Sequence, residues 1–160
     1  MNSAVLSKIV GGEQAGTDTW SWAVSIRIGN SHFCGGVLIS SSLIVTAAHC
    51  LISMKSKPNL NINVGSKYLS VIRQKRVVSS IYIHRNFDVH TFVNDIAVLR
   101  LSSPIDMNDY SVARICLPAT TTAEYPPENT NVVAIGWGTL SPGEKLPSNT
   151  LQQVTLRTIS

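Results

Sequence analysis

Eight consecutive residues lead from an apolar run to a histidine and a cysteine: Leu43-Ile44-Val45-Thr46-Ala47-Ala48-His49-Cys50. The branched apolar residues at the start of this segment favour a buried β-strand, which would present His49 at its end. Imidazole is the side chain whose ordinary pKa lies nearest neutrality, so a histidine held in this way is a candidate general base. A single histidine after a strand is more often structural than catalytic, and the rest of the chain has to supply its partners.

The bulk composition indicates a single globular domain. The chain has 160 residues, of which 44% are hydrophobic and 14% are charged. This length can bury a sizeable core, and the composition excludes a disordered tail. The net charge of +4 is spread along the chain and predicts no nucleic-acid partner. No apolar run approaches the ~18 residues of a membrane span, so we expect no membrane partner.

Alternating apolar residues predict strands throughout the chain. In the segment Trp22–Ile28, the two terminal residues share one face with Val24 and Ile26. Ala23, Ser25 and Arg27 share the other face, and this alternation predicts a half-buried strand. A turn at Gly29–Ser31 then leads into a second strand at His32–Ile39, so the pair forms a hairpin. Further strands are predicted at Asn61–Gly65, Val77–His84, Asn131–Thr139 and Leu151–Leu156. The fold class is therefore predicted to be all-β.

Three other motifs accompany the opening segment: Ile9-Val10-Gly11-Gly12, Asn94-Asp95-Ile96-Ala97-Val98-Leu99 and Gly136-Trp137-Gly138. Asp95 stands at the head of an apolar strand, where a carboxylate is costly unless another group pairs with it. A histidine from another strand would provide that partner. In this order and spacing, the chain resembles the chymotrypsin/trypsin-like serine endopeptidases (peptidase S1 type) from Lys8 to its last residue.

The resemblance implies a trypsin-like double antiparallel β-barrel. It assigns a complete first barrel to about residues 9–112, a linker to about 113–130 and the start of a second, partial barrel to 131–160. Residues 1–8 resemble a propeptide segment. The match corresponds to roughly two-thirds of a catalytic domain, so we expect the domain to be C-terminally incomplete.

The resemblance also implies roles for individual residues. Asp95 would accept the Nδ1 proton of His49, fixing the tautomer of the ring and stabilising the imidazolium. Cleavage between Lys8 and Ile9 would activate a zymogen, because the freed amine would pair with a carboxylate beside the catalytic serine. A simple Gly-Gly turn after a short strand is the alternative interpretation of this motif.

The Gly-Asp-Ser-Gly-Gly motif that carries the nucleophile in this family does not occur in the sequence. We therefore carry two hypotheses. In the first, the protein is a serine-type endopeptidase that acts on protein or peptide substrates and meets protease inhibitors, and its serine-bearing segment is absent from these residues. In the second, it is a non-catalytic binding or regulatory module with a remnant protease fold, for which His49 and Asp95 would have no use.

The chain has three cysteines, Cys34, Cys50 and Cys116. The resemblance implies a disulfide between Cys34 and Cys50, which would stabilise the fold by about 3 kcal/mol through restriction of the unfolded chain. Two free buried thiols in a cytosolic chain are the alternative. Cys116 is left either buried and inert or awaiting a partner that the sequence does not contain.

The N-terminal segment Met1–Lys8 is too short and too weakly apolar for a signal peptide, which argues against secretion. The family resemblance implies a secreted protein, and a missing upstream segment would reconcile the two expectations.

No metal site and no cofactor are expected. The basic segment Ser66–Arg76 has no acidic residue and so predicts no calcium site. We interpret its cations as a solvated face, with a polyanion contact as the alternative. His84, Asp88 and His90 follow no strong zinc-ligand spacing.

Overall fold

The computed structural model describes residues 12–16, 20–52, 60–118, 126–141, 144 and 146–159. Nine strands and one short helix are found among them. In chain order these are β1 (Glu13–Gln14), β2 (Ala23–Ile28), β3 (Ser31–Ser40), β4 (Leu43–Thr46), α1 (His49–Ile52), β5 (Leu60–Val64), β6 (Gln74–Ile83), β7 (Ala97–Leu101), β8 (Asn131–Gly136) and β9 (Gln152–Arg157). The prediction of an all-β chain is confirmed.

Two compact units divide the chain. One comprises Trp20–Ser66 and Val71–Cys116, and the other comprises Met1–Thr19, Lys67–Ser70 and Leu117–Ser160. The boundaries expected from the sequence for the first barrel, the linker and the second barrel stay a prediction.

The larger unit is a closed barrel of six antiparallel strands in the order β2-β3-β4-β7-β6-β5. The barrel closes where β5 returns to β2, with Ile62 opposite Ile26 and Asn63 opposite Ser25. Closure leaves no free edge among these six strands. Its core consists of large side chains that are fully buried, among them Val24, Ile26, Leu38, Ile44, Ile62 and Leu99.

Gly36 on β3 lets this core pack closely. A Cβ atom built at this position would lie 3.0 Å from Ile44 Cγ2, 3.0 Å from Val45 O and 3.3 Å from Ile26 Cδ1. Two of these atoms belong to core side chains and the third is backbone. A side chain at this position would require these neighbours to shift by a few tenths of an ångström, so the close approach of β3 favours glycine.

The half-buried pattern predicted for β2 is wrong. Val24 and Ile26 are buried as expected, but Ser25 and Arg27 on the opposite face are also only 3% and 5% exposed. Their polar atoms are hydrogen-bonded there: Arg27 Nε donates to Ser25 Oγ at 3.1 Å, and Arg27 Nη1 donates to the carbonyl of Asn30 at 3.0 Å. His32 Nδ1 lies 2.9 Å from Ser25 Oγ. A polar strand face can be buried when its groups find partners, and alternation alone does not reveal this.

The opening segment ends in a short helix, since α1 starts at His49 and runs to Ile52. Residues 53–59 lie outside the described part of the chain.

The smaller unit contains a three-stranded antiparallel sheet in the order β1-β9-β8. Trp137 follows β8 and is 3% exposed, and its indole Nε1–H donates to the carbonyl of Lys67 at 2.9 Å. The same carbonyl accepts the backbone N–H of Leu151 at 2.8 Å. This sheet is consistent with the partial second barrel that the family resemblance implies.

Candidate active site

Two paired strands of the larger unit bring His49 and Asp95 together. β4 and β7 are antiparallel neighbours, with Thr46 opposite Ala97. The end of β4 therefore lies beside the start of β7. His49 follows the last residue of β4 by three positions and Asp95 precedes the first residue of β7 by two, so both residues lie at the same end of the pair.

Asp95 contacts His49 through both carboxylate oxygens. Oδ2 lies 2.7 Å from the ring nitrogen Nδ1, and Oδ1 accepts the backbone N–H of His49 at 2.8 Å. The carboxylate therefore fixes both the position of α1 at its first residue and the rotation of the imidazole ring. The His49 side chain is 31% exposed and the Asp95 side chain is 22% exposed, so the pair lies at the rim of the barrel.

The surroundings of Asp95 keep its carboxyl ionised. Burial on its own would raise the pKa of Asp95, but hydrogen bonds from the His49 ring and from the backbone N–H groups of His49 and Ala48 bring that pKa below its ordinary value. An ionised carboxylate accepts hydrogen bonds only, so the proton of the neutral imidazole resides on Nδ1. The lone pair of Nε2 is then free to accept a proton, as a general base requires.

Phe92 packs against this imidazole and was not singled out from the sequence. The ring centroids of Phe92 and His49 are 5.9 Å apart at an interplanar angle of 70°, an edge-to-face contact. Phe87 lies behind Phe92 at 6.4 Å in a similar geometry. The backbone of Phe92 has a φ of 56°, which is uncommon for a bulky residue. No periodicity in this polar loop signals the contact, because it depends on the path of the loop.

A disulfide joins Cys34 on β3 to Cys50 in α1, with Cα atoms 6.3 Å apart. Cys50 directly follows His49, and its Sγ lies 3.6 Å from Nε2. Among the described residues, no serine or threonine hydroxyl forms a hydrogen bond with Nε2. The disulfide thus ties the histidine-bearing helix to the barrel. It lies beside Nε2, the ring nitrogen that would accept the proton of a nucleophile.

The other residues considered in the sequence analysis have separate outcomes. Lys8 and Ile9 are outside the described residues. Cys116 is an exposed free thiol, so the suggestion that it is buried is wrong. His84 Nδ1 accepts the backbone N–H of Asn86, and Asp88 Oδ1 accepts the backbone N–H of His90 at 2.8 Å. These last contacts organise the loop.

A closed six-stranded barrel with an Asp–His pair at one end of two adjacent strands is the architecture of the trypsin-like serine peptidases. A sequence profile described as Trypsin matches residues 9–160, and the chain belongs to this family.

Two curated relatives and one solved structure document the similarity. The chain is 38% identical over 152 residues to transmembrane protease serine 11C of Mus musculus, covering 95% of this chain and 34% of that protein. It is 38% identical over 154 residues to trypsin alpha of Drosophila melanogaster, covering 96% of this chain and 57% of that protein. The crystal structure of the scabies mite inactivated protease paralogue S-D1 superposes with a TM-score of 0.82 at 28% identity, covering 93% of this chain and 62% of that one.

The chain thus spans 34% of the length of the mouse protein and 57% of the length of the Drosophila protein. In the part of the chain that the structure describes, no helix is long and apolar enough to cross a membrane.

Proposed function

We propose that the protein is a serine-type endopeptidase in which His49 is the general base and Asp95 its orienting carboxylate. The observation that carries this proposal is the contact of 2.7 Å between Asp95 Oδ2 and His49 Nδ1, which directs the lone pair of Nε2 away from the carboxylate. Membership of the trypsin family supports the same assignment.

In the proposed reaction, Nε2 of His49 removes the proton of a serine hydroxyl as the oxygen attacks the peptide carbonyl. Asp95 remains ionised and stabilises the imidazolium that forms. The proton then passes from Nε2 to the amine that leaves. The proposal assigns the nucleophile to no residue of this sequence, because the Gly-Asp-Ser-Gly-Gly motif does not occur in it.

The proposal includes a zymogen that is activated by cleavage between Lys8 and Ile9 and acts outside the cell. Protein or peptide substrates and protease inhibitors are the partners this implies. Reaction at a peptide bond needs no metal or organic cofactor in such a mechanism. The disulfide between Cys34 and Cys50 supports an oxidising compartment.

The test uses the complete product of the transcript that encodes these residues. We expect that product to contain a Gly-Asp-Ser-Gly-Gly segment and to hydrolyse peptide amides after activation. A His49→Ala variant should lose hydrolysis while keeping the circular dichroism spectrum of the parent. A product without the motif, or a His49→Ala variant with full activity, would refute the proposal.

The second candidate is a non-catalytic binding or regulatory module. Its support is the similarity to a mite protein described as an inactivated protease paralogue. This candidate predicts that the 160-residue chain is soluble, unfolds cooperatively and hydrolyses no peptide. A chain of this length that aggregates or does not fold would contradict it.

A further inference from the structure

Three side chains with metal-binding atoms converge beside the barrel rim. The ligand atoms of Cys34, His49 and Cys50 all lie within 4.8 Å of one another, and they form the one such group found among the described residues. In the oxidised protein the two sulfurs are bonded to each other, so neither is a thiolate and the group binds no metal.

We propose that reduction of the Cys34–Cys50 disulfide converts this group into a zinc site with two thiolate ligands, the Nε2 atom of His49 and a water molecule in the fourth position. This site would form only in the reduced chain, and its formation requires no catalytic serine. In this reduced chain Cys34 and Cys50 are free thiols, the state that the sequence analysis gave as the alternative to a disulfide.

The distances fit a tetrahedral zinc ion. Zinc binds sulfur at about 2.3 Å and nitrogen at about 2.0 Å, so a nitrogen and a sulfur on one tetrahedral ion lie about 3.5 Å apart. The separation between His49 Nε2 and Cys50 Sγ is 3.6 Å. Two thiolates on the same ion lie about 3.8 Å apart, which the Cys34 and Cys50 side chains reach by small rotations once the bond between them is broken.

Asp95 already orients the histidine as a metal ligand. A metal-bound imidazole usually donates its second N–H to a carboxylate, which fixes the tautomer and makes the other nitrogen more basic. The contact between Asp95 Oδ2 and His49 Nδ1 supplies this arrangement before any ion arrives. The imidazole is 31% exposed, which leaves the ion a path from solvent.

The chemistry balances with a dithiol as the reductant. The dithiol supplies two electrons and two protons, and it becomes a disulfide while Cys34 and Cys50 become thiols. Zinc binding then releases both thiol protons to water as the sulfurs become thiolates. In the zinc-bound chain the lone pair of Nε2 is occupied and cannot accept a proton from a serine, so reduction with zinc and peptidase activity exclude each other.

The experiment uses Co²⁺ as a spectroscopic substitute for zinc. The 160-residue chain is reduced with excess dithiol, freed of it by gel filtration under argon and titrated with Co²⁺. We expect one equivalent to bind, with thiolate charge-transfer bands and the d–d bands of a tetrahedral ion, and we expect Zn²⁺ to abolish both. The oxidised chain should show neither set of bands.

Variants separate a folded site from thiols that bind metal nonspecifically. Cys116→Ser should bind as the parent does, because Cys116 lies outside the group. Asp95→Asn should weaken binding by about 10- to 100-fold through loss of the oriented imidazole, and His49→Ala should weaken it further. If reduction alone loosens the barrel, metal addition should restore the circular dichroism spectrum of the oxidised protein.

Two results would overturn the proposal. One is a reduced chain that develops no tetrahedral Co²⁺ spectrum. The other is a spectrum and affinity that neither Asp95→Asn nor His49→Ala changes, since this would assign the metal to the thiols of an unfolded chain. Neither readout requires a catalytic serine, so a failed zinc site and a failed peptidase assignment remain distinguishable.

Discussion

Asp95 holds His49 at two points: Oδ1 accepts the backbone N–H of His49 at 2.8 Å, and Oδ2 lies 2.7 Å from its ring Nδ1. The first contact fixes where α1 begins and the second fixes the orientation of the ring. A single carboxylate therefore positions the backbone and the side chain of the candidate base together. Since the histidine follows β4 and the acid precedes β7, this geometry depends on the pairing of two strands distant in sequence.

The first prediction concerns the Asp95 carboxylate. In the complete, activated product, Asp95→Asn should lower kcat by about 10⁴-fold, because an amide allows the tautomer with the proton on Nε2. Steady-state hydrolysis of a peptide amide measures the effect. Asp109→Asn is the matched control: Asp109 accepts hydrogen bonds from Ser111 and Gln74 and does not contact His49, so the control should retain parental kcat. Equal losses in both variants would contradict a specific role for Asp95.

The second prediction concerns two adjacent glycines on β3. Gly36→Ala should lower the free energy of unfolding by about 1–3 kcal/mol, because its Cβ would lie 3.0–3.3 Å from core side chains and backbone, which would have to shift. Gly35→Ala should change this free energy by less than about 0.5 kcal/mol, since a Cβ there has no atom within 4 Å. Urea denaturation of the oxidised proteins measures both. Similar values for the two variants would show that the packing around Gly36 is looser than described.

The third prediction concerns His32. Burial and the positive charge of Arg27 lower the pKa of His32 from 6.5 to about 4. Between these pH values, His32 binds a proton in the unfolded chain but not in the folded chain. The free energy of unfolding should therefore be unaffected by His32 above pH 6.5 and should fall as the pH drops towards 4. His32→Gln should remove this part of the pH dependence.

Denaturant unfolding at several pH values between 4 and 7 measures the pH dependence of the free energy of unfolding for the parent and for His32→Gln. Parallel curves for the two proteins across this range would show that His32 titrates normally in the fold, and the proposed effect of burial and Arg27 would then be wrong.

The fourth prediction concerns the backbone of Phe92. At a φ of 56°, a glycine costs less than a residue with a Cβ, so Phe92→Gly should be more stable than Phe92→Ala by about 1 kcal/mol. Both variants lose the ring that packs against His49, so the comparison isolates the backbone. Thermal or urea unfolding measures it, and a Phe92→Ala variant as stable as Phe92→Gly would indicate that the loop adopts another conformation in solution.

Local patterns in the sequence predicted much of the barrel. The predicted turn at Gly29–Ser31 is found at Gly29 and Asn30, where Gly29 has a φ of 61°, and β3 starts at Ser31, one residue before the predicted start. Strand positions were predicted to within a few residues, apart from the two-residue β1, which no sequence pattern predicted. β6 begins at Gln74, three residues before the predicted start, because Gln74–Arg76 is polar and yet pairs with β5.

Other features could not be obtained from periodicity. The polar face of β2 is buried because Ser25, Arg27 and His32 satisfy one another, and their proximity is created by the hairpin. The contact of Phe92 with His49 depends on a positive φ in a loop without regular structure. Burial of polar groups and loop conformation both depend on which neighbours are present, and a local sequence window does not contain them.

The sequence by itself determined the family, the strand-forming segments and the identity of the candidate base and acid. These properties are encoded in short motifs whose residue types and order carry the chemistry. The tertiary structure decided that Asp95 contacts His49 through both carboxylate oxygens and that His49 Nε2 lies beside the sulfur of Cys50. It also decided how little space surrounds Gly36 on β3. These facts are distances between segments tens of residues apart, and they exist only once β5 has returned to β2 and the barrel has closed.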